Sequence, residues 1–224
     1  MKGENMKPLS SFIIVCLILA AACVRPALTF AESGPSIRLP APQTDGGKPL
    51  MQALKNRSTS REFSTEKLSA QVLSSLLWAA FGVNRPASGK RTAPSAKNRQ
   101  EIDVYAATAD GLYRYDAEKN SLVLVLKEDI RKQTGKQDFV ATAPLNVVYV
   151  ADFSKVAGET ELEKALYAGA DTGFISQNVY LFCASQGLAT VVRGYVDKPA
   201  LEKKMGLPLN QKVILAQTVG YPKK

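Results

Sequence analysis

Hydrophobic residues recur along this chain with two different periods, and each period predicts a different kind of element. Spacings of three and four residues, as at Leu73, Leu76 and Leu77, are typical of a helix with one buried face. Ser69 is placed to cap the start of that helix, and Gly187 is placed to end a much longer one. Helices are predicted at residues 49–56, 69–80 and 160–186, and a short helix opens at Pro199.

From Ile102 onward, apolar and polar positions alternate, and this period of two predicts strands joined by turns such as Ala109-Asp110-Gly111. Interleaved helices and strands around one sheet predict a single α+β domain over residues 49–224. Residues 32–48, rich in Pro, Gly and Ser, predict an extended N-terminal arm. Strands are predicted at residues 102–108, 112–115, 122–126, 145–150, 188–192 and 212–219, a loop at 84–99, and a partly helical stretch at 127–140.

The first 31 residues have the pattern of a cleavable export signal. Lys2 and Lys7 precede an unbroken apolar run at residues 12–23, and Ala31 offers a small residue at a position that a signal peptidase reads. The run is shorter than the roughly 20 residues of a membrane-spanning helix, so no stable membrane span is expected. We expect cleavage after Ala31 and a periplasmic location. Lipidation at Cys23 is the alternative, although the leucine of this lipoprotein-like box lies one place too far from the cysteine.

Composition excludes several classes of chemistry. The chain is 46% hydrophobic and 22% charged, which is ordinary for a soluble globular protein. It has no histidine, which excludes the Ser/His/Asp triad and the three-histidine zinc site. Its three cysteines are too few for a thiolate metal cluster, and no metal is expected. Cys183 alone remains after cleavage, in an apolar helical stretch that predicts a packed, inert thiol.

The chain is basic, and the mature form stays basic. The formal net charge is +9, and removing residues 1–31, with three basic residues and one acidic residue, leaves +7. Solubility is the simplest explanation of this charge; the functional alternatives are an anionic ligand, a membrane surface and nucleic acid. Export argues against nucleic acid as a partner.

Two segments combine arginines with hydroxyl side chains: residues 57–61, Arg-Ser-Thr-Ser-Arg, and residues 91–100, Arg-Thr-Ala-Pro-Ser-Ala-Lys-Asn-Arg-Gln. A guanidinium group donates two parallel hydrogen bonds to a phosphate, and hydroxyl groups and backbone amides satisfy the remaining oxygens. Both segments therefore predict a phosphate ligand. A solvated loop between helices is the alternative.

Segments between Arg57 and Pro222, in this order, resemble motifs of the FMN-dependent nitroreductase superfamily, in the branch that includes the SagB-type dehydrogenases. Residues 57–63, Arg-Ser-Thr-Ser-Arg-Glu-Phe, are similar to the family's phosphate motif. Further similar segments are residues 76–84 (the helix that follows), 91–96 (the loop beside the flavin ring), 111–116 (the hairpin of the SagB-like branch), 177–181 with 187–190 (the dimer helix and its exit) and 219–222 (the end of the last strand).

The resemblance implies a nitroreductase-like α+β fold, with a central, mostly antiparallel sheet flanked by helices. It also implies a homodimer with two FMN sites at the interface, each built from both chains. Carried over residue by residue, Arg57, Thr59 and Arg61 hold the phosphate, with Ser58 supporting them. The residues that line the isoalloxazine ring, from the partner chain, are Pro94, Ser95, Ala96 and Asn98.

Three further positions carry expectations from the same resemblance. Arg193 and Gly194 lie where the family places a backbone amide near flavin N5, but Arg193 replaces the usual Glu, which leaves the electron donor and the substrate preference open. Lys223 and Lys224 end the chain where some members place basic residues on the phosphate, and a frayed tail is the alternative. Gln177 has an interface position, with packing as the alternative.

The expected function is that of an exported FMN-dependent oxidoreductase, which transfers two electrons as hydride through flavin N5 to or from a small organic substrate. No catalytic side chain is required, since the flavin carries the chemistry. NAD(P)H is a candidate donor, although nicotinamide cofactors are scarce outside the cytoplasm. The alternative is a non-catalytic flavin-binding protein, either a carrier or a degenerate family member.

Overall fold

The computed structural model describes residue 3 and residues 35–224, so the rest of the predicted export signal lies outside the described residues. In the described part, no helix combines the length and hydrophobicity that crossing a membrane requires. The strands are β1 (Ser36–Arg38), β2 (Val83–Arg85), β3 (Lys90–Arg91), β4 (Ile102–Thr108), β5 (Gly111–Asp116), β6 (Ser121–Leu126), β7 (Leu145–Asp152), β8 (Ala189–Arg193) and β9 (Gln211–Gly220). The α-helices are α1 (Leu50–Asn56), α2 (Ala70–Phe81), α3 (Glu161–Gln186) and α4 (Lys198–Met205).

Seven strands form one sheet in the order β1-β6-β5-β4-β7-β9-β8, and every neighbouring pair is antiparallel. All eight residues of β7 are buried, as the continuous apolar character of this strand predicts. The last strand of the chain, β9, is inserted between β7 and β8, with Leu145 opposite Val219 and Thr190 opposite Val219 on the other side. The C-terminal end of the chain therefore lies beside the start of β8.

Alternation along β7 separates two hydrophobic cores. Val147 points to one face of the sheet and packs in a cluster with residues of α2 and α3, including Ile175. Its neighbour Val148 points to the opposite face and packs in a cluster with α4, including Leu201. The sheet thus separates the two long helices from the short C-terminal one, and the predicted α+β fold class is confirmed.

The helix ends follow the sequence signals. The Ser69 hydroxyl accepts a hydrogen bond from the Val72 amide at 3.2 Å and caps α2. Thr160 and Glu163 cap α3 reciprocally, because each side chain bonds to the other residue's backbone amide. Gly187 ends α3 with φ of 72°, a left-handed conformation that favours glycine. These interactions fix the start and the end of the longest helix.

Three stretches differ from their predicted structure. The arm at 32–48 contains a strand, Ser36–Arg38, which pairs with β6; it is too short to show an alternating pattern. The predicted loop at 84–99 contains the small β2–β3 hairpin and a 3₁₀ turn at Ala96–Asn98. Residues 127–140 form 3₁₀ turns at Arg131–Thr134 and, extending to Ala141, at Asp138–Ala141, and no α-helix, since they lack an apolar face with helical spacing.

Candidate functional site

The segment at residues 57–63 follows α1 and is fixed by backbone hydrogen bonds on two sides. The Ser60 amide donates to the Thr190 carbonyl of β8 at 3.0 Å. On the other side, the Lys223 amide donates to the Glu62 carbonyl at 3.3 Å. The segment therefore lies between β8 and the C-terminal end of the chain, two parts that are distant from it in sequence.

This arrangement gathers four cations, Arg57, Arg61, Lys223 and Lys224, which we call the cation group. Arg61 and both lysines are exposed, and Arg57 is half-buried. Within residues 35–224, none of the four forms an ion pair with a carboxylate. Exposed cations that gather without a carboxylate partner create a positive potential that attracts anions. Two guanidinium groups with neighbouring hydroxyls suit a phosphate in particular.

The side chain of Tyr180, on α3, contacts Thr59 and Arg57 of the segment at residues 57–63. Its hydroxyl accepts a hydrogen bond from the Val192 amide at 3.0 Å, and lies 3.1 Å from the Thr59 hydroxyl, to which it can donate its proton. The Arg57 guanidinium lies over the Tyr180 ring, 5.4 Å from its centroid. Tyr180 therefore connects segment 57–63 to β8. Its apolar neighbours in the sequence give no indication of this role.

Phe63 anchors the other end of the segment in the protein interior. Its ring is buried and lies 5.3 Å from the ring of Phe139, and its backbone bridges Pro222. A side chain at Gly220 would bring its Cβ within 2.8 Å of Pro144, so this close approach requires glycine. The polar loop thus rests on a packed hydrophobic base.

The second basic segment, residues 91–100, is built differently. Lys97, Asn98 and Gln100 have φ values of 53°, 53° and 50°, in the left-handed region that non-glycine residues rarely adopt. The Ala96 amide donates to the Asp171 carboxylate of α3 at 2.8 Å. A strained conformation of this kind persists only where surrounding interactions hold it.

Arg91 is one of the interactions that hold this segment. Its Nε donates to Gln100 Oε1 at 2.7 Å, its Nη1 donates to the Phe81 carbonyl at 3.2 Å, and its guanidinium lies 4.9 Å from the centroid of the Phe81 ring. Burial lowers the pKa of Arg91. The Arg91 guanidinium therefore forms hydrogen bonds within the protein. In the same segment, Pro94 and Asn98 are exposed, and Ser95 and Ala96 are half-buried.

The two predicted halves of the site contact α3 at different positions. Tyr180 and Asp171, which contact the two segments, are nine residues apart on α3. At about 1.5 Å and 100° per residue, they are separated by about 13 Å along the axis and by half a turn around it. The structure brings together Arg57, Ser58, Thr59 and Arg61 on one side, and Pro94, Ser95, Ala96 and Asn98 on the other.

Arg193 turns its side chain into the protein interior. The side chain is buried, and it donates to the Thr218 hydroxyl at 3.1 Å, the Thr134 carbonyl at 2.8 Å and Asn146 Oδ1 at 3.1 Å. Burial lowers the pKa of Arg193 to about 10. Gly194, the next residue, is exposed where the chain leaves β8. What this position presents to solvent is therefore backbone.

Two other residues on α3 have different environments. Cys183 is 1% exposed, and burial raises the pKa of its thiol well above the ordinary value, which confirms the predicted packed thiol. Gln177 is exposed, and its interface role stays a prediction. Sequence reasoning missed Tyr180 and Asp171, because an isolated Tyr or Asp in a helix has no signature motif.

Comparison with known proteins gives a consistent result. The sequence model of the nitroreductase family matches residues 54–221. The crystal structure of a candidate nitroreductase from Ralstonia eutropha is 41% identical, with a TM-score of 0.81, and covers 87% of this chain and 92% of that chain. A candidate nitroreductase of Methanocaldococcus jannaschii is 31% identical over 155 residues, which are 65% of this chain and 78% of that protein.

A more distant structure shares the fold alone. The NADPH:FMN oxidoreductase of Vibrio harveyi, solved in complex with NAD+, is 19% identical, with a TM-score of 0.58 over 78% of this chain and 69% of that chain. The antiparallel seven-stranded sheet with its flanking helices is thus the nitroreductase fold. On the match over residues 54–221 and the 41% identical structure, this chain belongs to the nitroreductase family of oxidoreductases.

Proposed function

We propose that this protein is an exported, homodimeric, FMN-dependent oxidoreductase, related to the SagB-type dehydrogenases, that transfers two electrons to or from a small organic substrate. The observation that carries the proposal is the cation group, formed by the two arginines of residues 57–61 and by Lys223 and Lys224, which has no carboxylate partner in residues 35–224. Membership of an oxidoreductase family supports the reaction type.

The chain's residues fit a flavin phosphate at this position. Arg57 and Arg61 supply charge-assisted donors, and the exposed hydroxyls of Ser58 and Thr59 lie between them in sequence. The Tyr180 contact holds Thr59 and Arg57 in place, so little order remains to be created when the phosphate arrives. Lys223, held to the segment by its backbone amide, adds a further positive charge.

Bound FMN supplies the redox chemistry, since its N5 accepts and donates hydride. The chain's own residues would then hold the FMN, orient it and enclose it. The absence of histidine is compatible with this, because no side chain has to transfer a proton to the substrate. Gly194 offers an exposed backbone at the position that the family places near N5. The Arg193 guanidinium, bonded in the interior, leaves that backbone accessible.

The separation of the two contact positions on α3 supports a site built from two chains. Since the two segments contact positions half a turn apart on α3, we expect residues 94–98 to reach the flavin ring from the partner chain. Exposed apolar side chains support a partner. Leu162, Leu166 and Phe174 lie along one side of α3, and are 81%, 68% and 48% exposed. Apolar faces of this kind are typical of protein interfaces.

A second apolar surface strengthens the expectation of a homodimer. Leu50 and Met51 of α1 are 63% and 75% exposed, and α1 packs against α3. Both exposed surfaces therefore belong to neighbouring helices. A second copy of the chain is the proposed occupant, because each copy would also bring the missing half of the other's flavin site.

Export determines which electron donors are available. Nicotinamide cofactors are scarce outside the cytoplasm, so reduction there needs another donor, or the substrate itself reduces the flavin. The two lysines before the apolar run are not paired arginines, so the signal lacks the mark of the pathway that exports folded proteins. We therefore expect the chain to cross the membrane unfolded and to bind FMN after export.

The experiment begins with purified residues 32–224. We expect a yellow dimer by visible absorbance and light scattering. Anaerobic addition of NADH, NADPH or a panel of small reductants then identifies the donor from flavin bleaching. A colourless monomer that takes up no added FMN contradicts the proposal. A yellow dimer that none of these reductants bleaches, and that turns over no substrate, favours the flavin carrier instead.

A thermal melt measures FMN binding independently of turnover. A ligand that binds only the native state stabilises it by RT ln(1 + [L]/Kd), so FMN at about a hundred times its Kd adds roughly 2.7 kcal/mol to the free energy of unfolding. Cell fractionation with a tagged full-length chain tests export. An uncleaved N-terminus, or flavin-loaded protein found only in the cytoplasm, contradicts export and restores NAD(P)H as the expected donor.

A further inference from the structure

Two buried carboxyl groups face each other beneath the loop at residues 94–98. Glu101 directly precedes β4 and Asp171 lies on α3, and each is 2% exposed. The two side chains lie within hydrogen-bonding range of each other. Apart from Asp171 and the backbone amide of Glu101 itself, the carboxyl oxygens of Glu101 have no hydrogen-bond partner among residues 35–224. Two carboxylates have acceptors only, so a hydrogen bond between them requires a proton on one of them.

The surroundings of Glu101 favour keeping that proton. Burial, and then the neighbouring Asp171 carboxyl, raise the pKa of Glu101 to about 7. Other charged groups on the elements around the pair have interactions of their own: Arg91 with Gln100, Asp103 with Arg114, Asp152 with Ser154, Asn210 and Lys155, and Lys97 with Glu163. Asp171 is therefore the charged group that acts on Glu101.

Asp171 connects this pair to the strained loop. Its Oδ2 accepts the hydrogen bond from the Ala96 amide, immediately before the left-handed residues Lys97 and Asn98. We infer that the carboxyl group of Glu101 donates a hydrogen bond to Asp171, and that the two residues act together as a positioning pair, which holds the loop at 94–98 in the shape that it presents to the flavin. The flavin contact rests on the proposed function, whereas the pair and the loop belong to the fold of the chain itself.

Loss of the proton loosens the loop. When both carboxyl groups are ionised they repel each other strongly in the low-dielectric interior. Asp171 then moves away from Glu101 and weakens its bond to the Ala96 amide. Because the pKa of Glu101 is raised above its ordinary value, the pair's contribution is complete at low pH and declines as the pH rises through about 7.

The test compares the wild-type protein with Glu101→Gln, whose amide donates to Asp171 at every pH. Hydrogen–deuterium exchange of the Ala96 amide is measured on flavin-free protein between pH 6 and 8.5. The intrinsic pH dependence of exchange cancels in the ratio of wild type to variant. We expect this ratio to be near one at pH 6 and to rise about tenfold by pH 8.5, as one unit of proton linkage allows.

Two variants of Asp171 separate positioning from packing. Asp171→Asn keeps an acceptor for Ala96 and a donor for Glu101, and is expected to behave like Glu101→Gln. Asp171→Ala removes the acceptor, and its Ala96 amide is expected to exchange fast at every pH. If Asp171→Ala does not fold, the pH profiles of Ala96 exchange in the wild type and in Glu101→Gln still test the inference. A ratio that stays constant from pH 6 to 8.5 overturns the inference.

The flavin is a second readout. The Kd of FMN for the wild type, relative to that for Glu101→Gln, is expected to rise about five- to tenfold between pH 6 and 8.5. Ionisation of the FMN phosphate affects both proteins alike and cancels. If the exchange ratio changes as expected but FMN does not bind to either protein, the proposed function fails and the positioning pair stands. If FMN binds with the same pH profile to both and the exchange ratio is flat, the pair fails and the proposed function stands.

Discussion

The two basic segments of this protein look alike in sequence, but the fold uses them in opposite ways. In residues 57–61 the arginines form no ion pair with a carboxylate of residues 35–224, and the backbone is hydrogen-bonded to β8 and to Lys223. In residues 91–100, Arg91 is bonded inside the fold and three residues are held in left-handed conformations. The guanidinium groups of the first segment form no hydrogen bond with residues 35–224, whereas Arg91 in the second segment stabilises the shape of the segment itself.

This difference shows what a cluster of arginines and hydroxyls signifies. Such a cluster predicts an anion site only where the guanidinium groups have no acceptor within the protein. Arg57 lies over an aromatic ring, which leaves its donors available, whereas Arg91 finds Gln100 and the Phe81 carbonyl. The two segments differ in how many guanidinium donors already form hydrogen bonds within the protein, and not in how many arginines they contain.

The largest expected effect comes from removing the donors of the first segment. Arg57→Ala combined with Arg61→Ala should weaken FMN binding by about a hundredfold or more, because each charge-assisted hydrogen bond contributes about 1.5 to 3 kcal/mol. The free energy of unfolding should change less than the affinity for FMN, since Arg61 is exposed and the half-buried Arg57 contributes one contact, over the Tyr180 ring. Fluorescence titration with FMN and urea denaturation measure the two quantities. The control is Lys127→Ala with Lys212→Ala, which removes two exposed charges elsewhere. Equal FMN affinity in the two double variants would falsify the division between the segments.

The second prediction reverses the pattern. Arg91→Met should lower the free energy of unfolding by about 2 kcal/mol, because Gln100 and the Phe81 carbonyl lose a charged donor. Its effect on FMN affinity should be smaller than that of the first double variant. Urea denaturation of the flavin-free protein measures the free energy of unfolding. The control is Arg99→Met, which changes an exposed arginine of the same segment. A loss no greater than that of the control would mean that Arg91 does not support the segment.

Tyr180→Phe tests the support beneath the first segment. Removing the hydroxyl leaves the partly buried Val192 amide without this acceptor and releases the Thr59 hydroxyl. We expect a loss of about 1 kcal/mol in stability and a fivefold weaker affinity for FMN. Tyr167→Phe, on the exposed side of the same helix, is the matched control. Unchanged values for both variants would show that the hydroxyl of Tyr180 positions nothing.

The smallest expected effect concerns backbone strain. Lys97→Gly should stabilise the protein by about 0.5 kcal/mol, because glycine adopts the left-handed conformation without strain. Ser58→Gly, in the first segment, should destabilise by a similar amount, since Ser58 is not in that conformation and glycine adds unfolded-state entropy. Thermal melts of the two variants compare the segments directly. Destabilisation by both would mean that the second segment stores no strain.

Local sequence signals predict most of the helices and strands, and they identify residues 57–61 as a segment that combines arginines with hydroxyl side chains. The caps at Ser69 and Gly187 and the alternation after Ile102 are local signals, and they give helices and strands close to the observed bounds. The strand at Ser36–Arg38 has no such signal, because three residues are too few to show a period. Only its pairing with β6 makes it a strand.

The packing of β9 and α3 determines which side chains contact each other. Lys223 meets Glu62, Tyr180 meets Thr59, and Asp171 meets both Ala96 and Glu101 because β9 and α3 bring distant parts of the chain into contact. Whether Arg91 and Arg193 are available to a ligand likewise depends on acceptors far away in the sequence. A single residue carries no record of its distant partners. Burial and hydrogen-bond satisfaction are properties of the packed chain, and they separate the half-buried Arg57 and the exposed Arg61 from the buried carboxyl groups of Glu101 and Asp171.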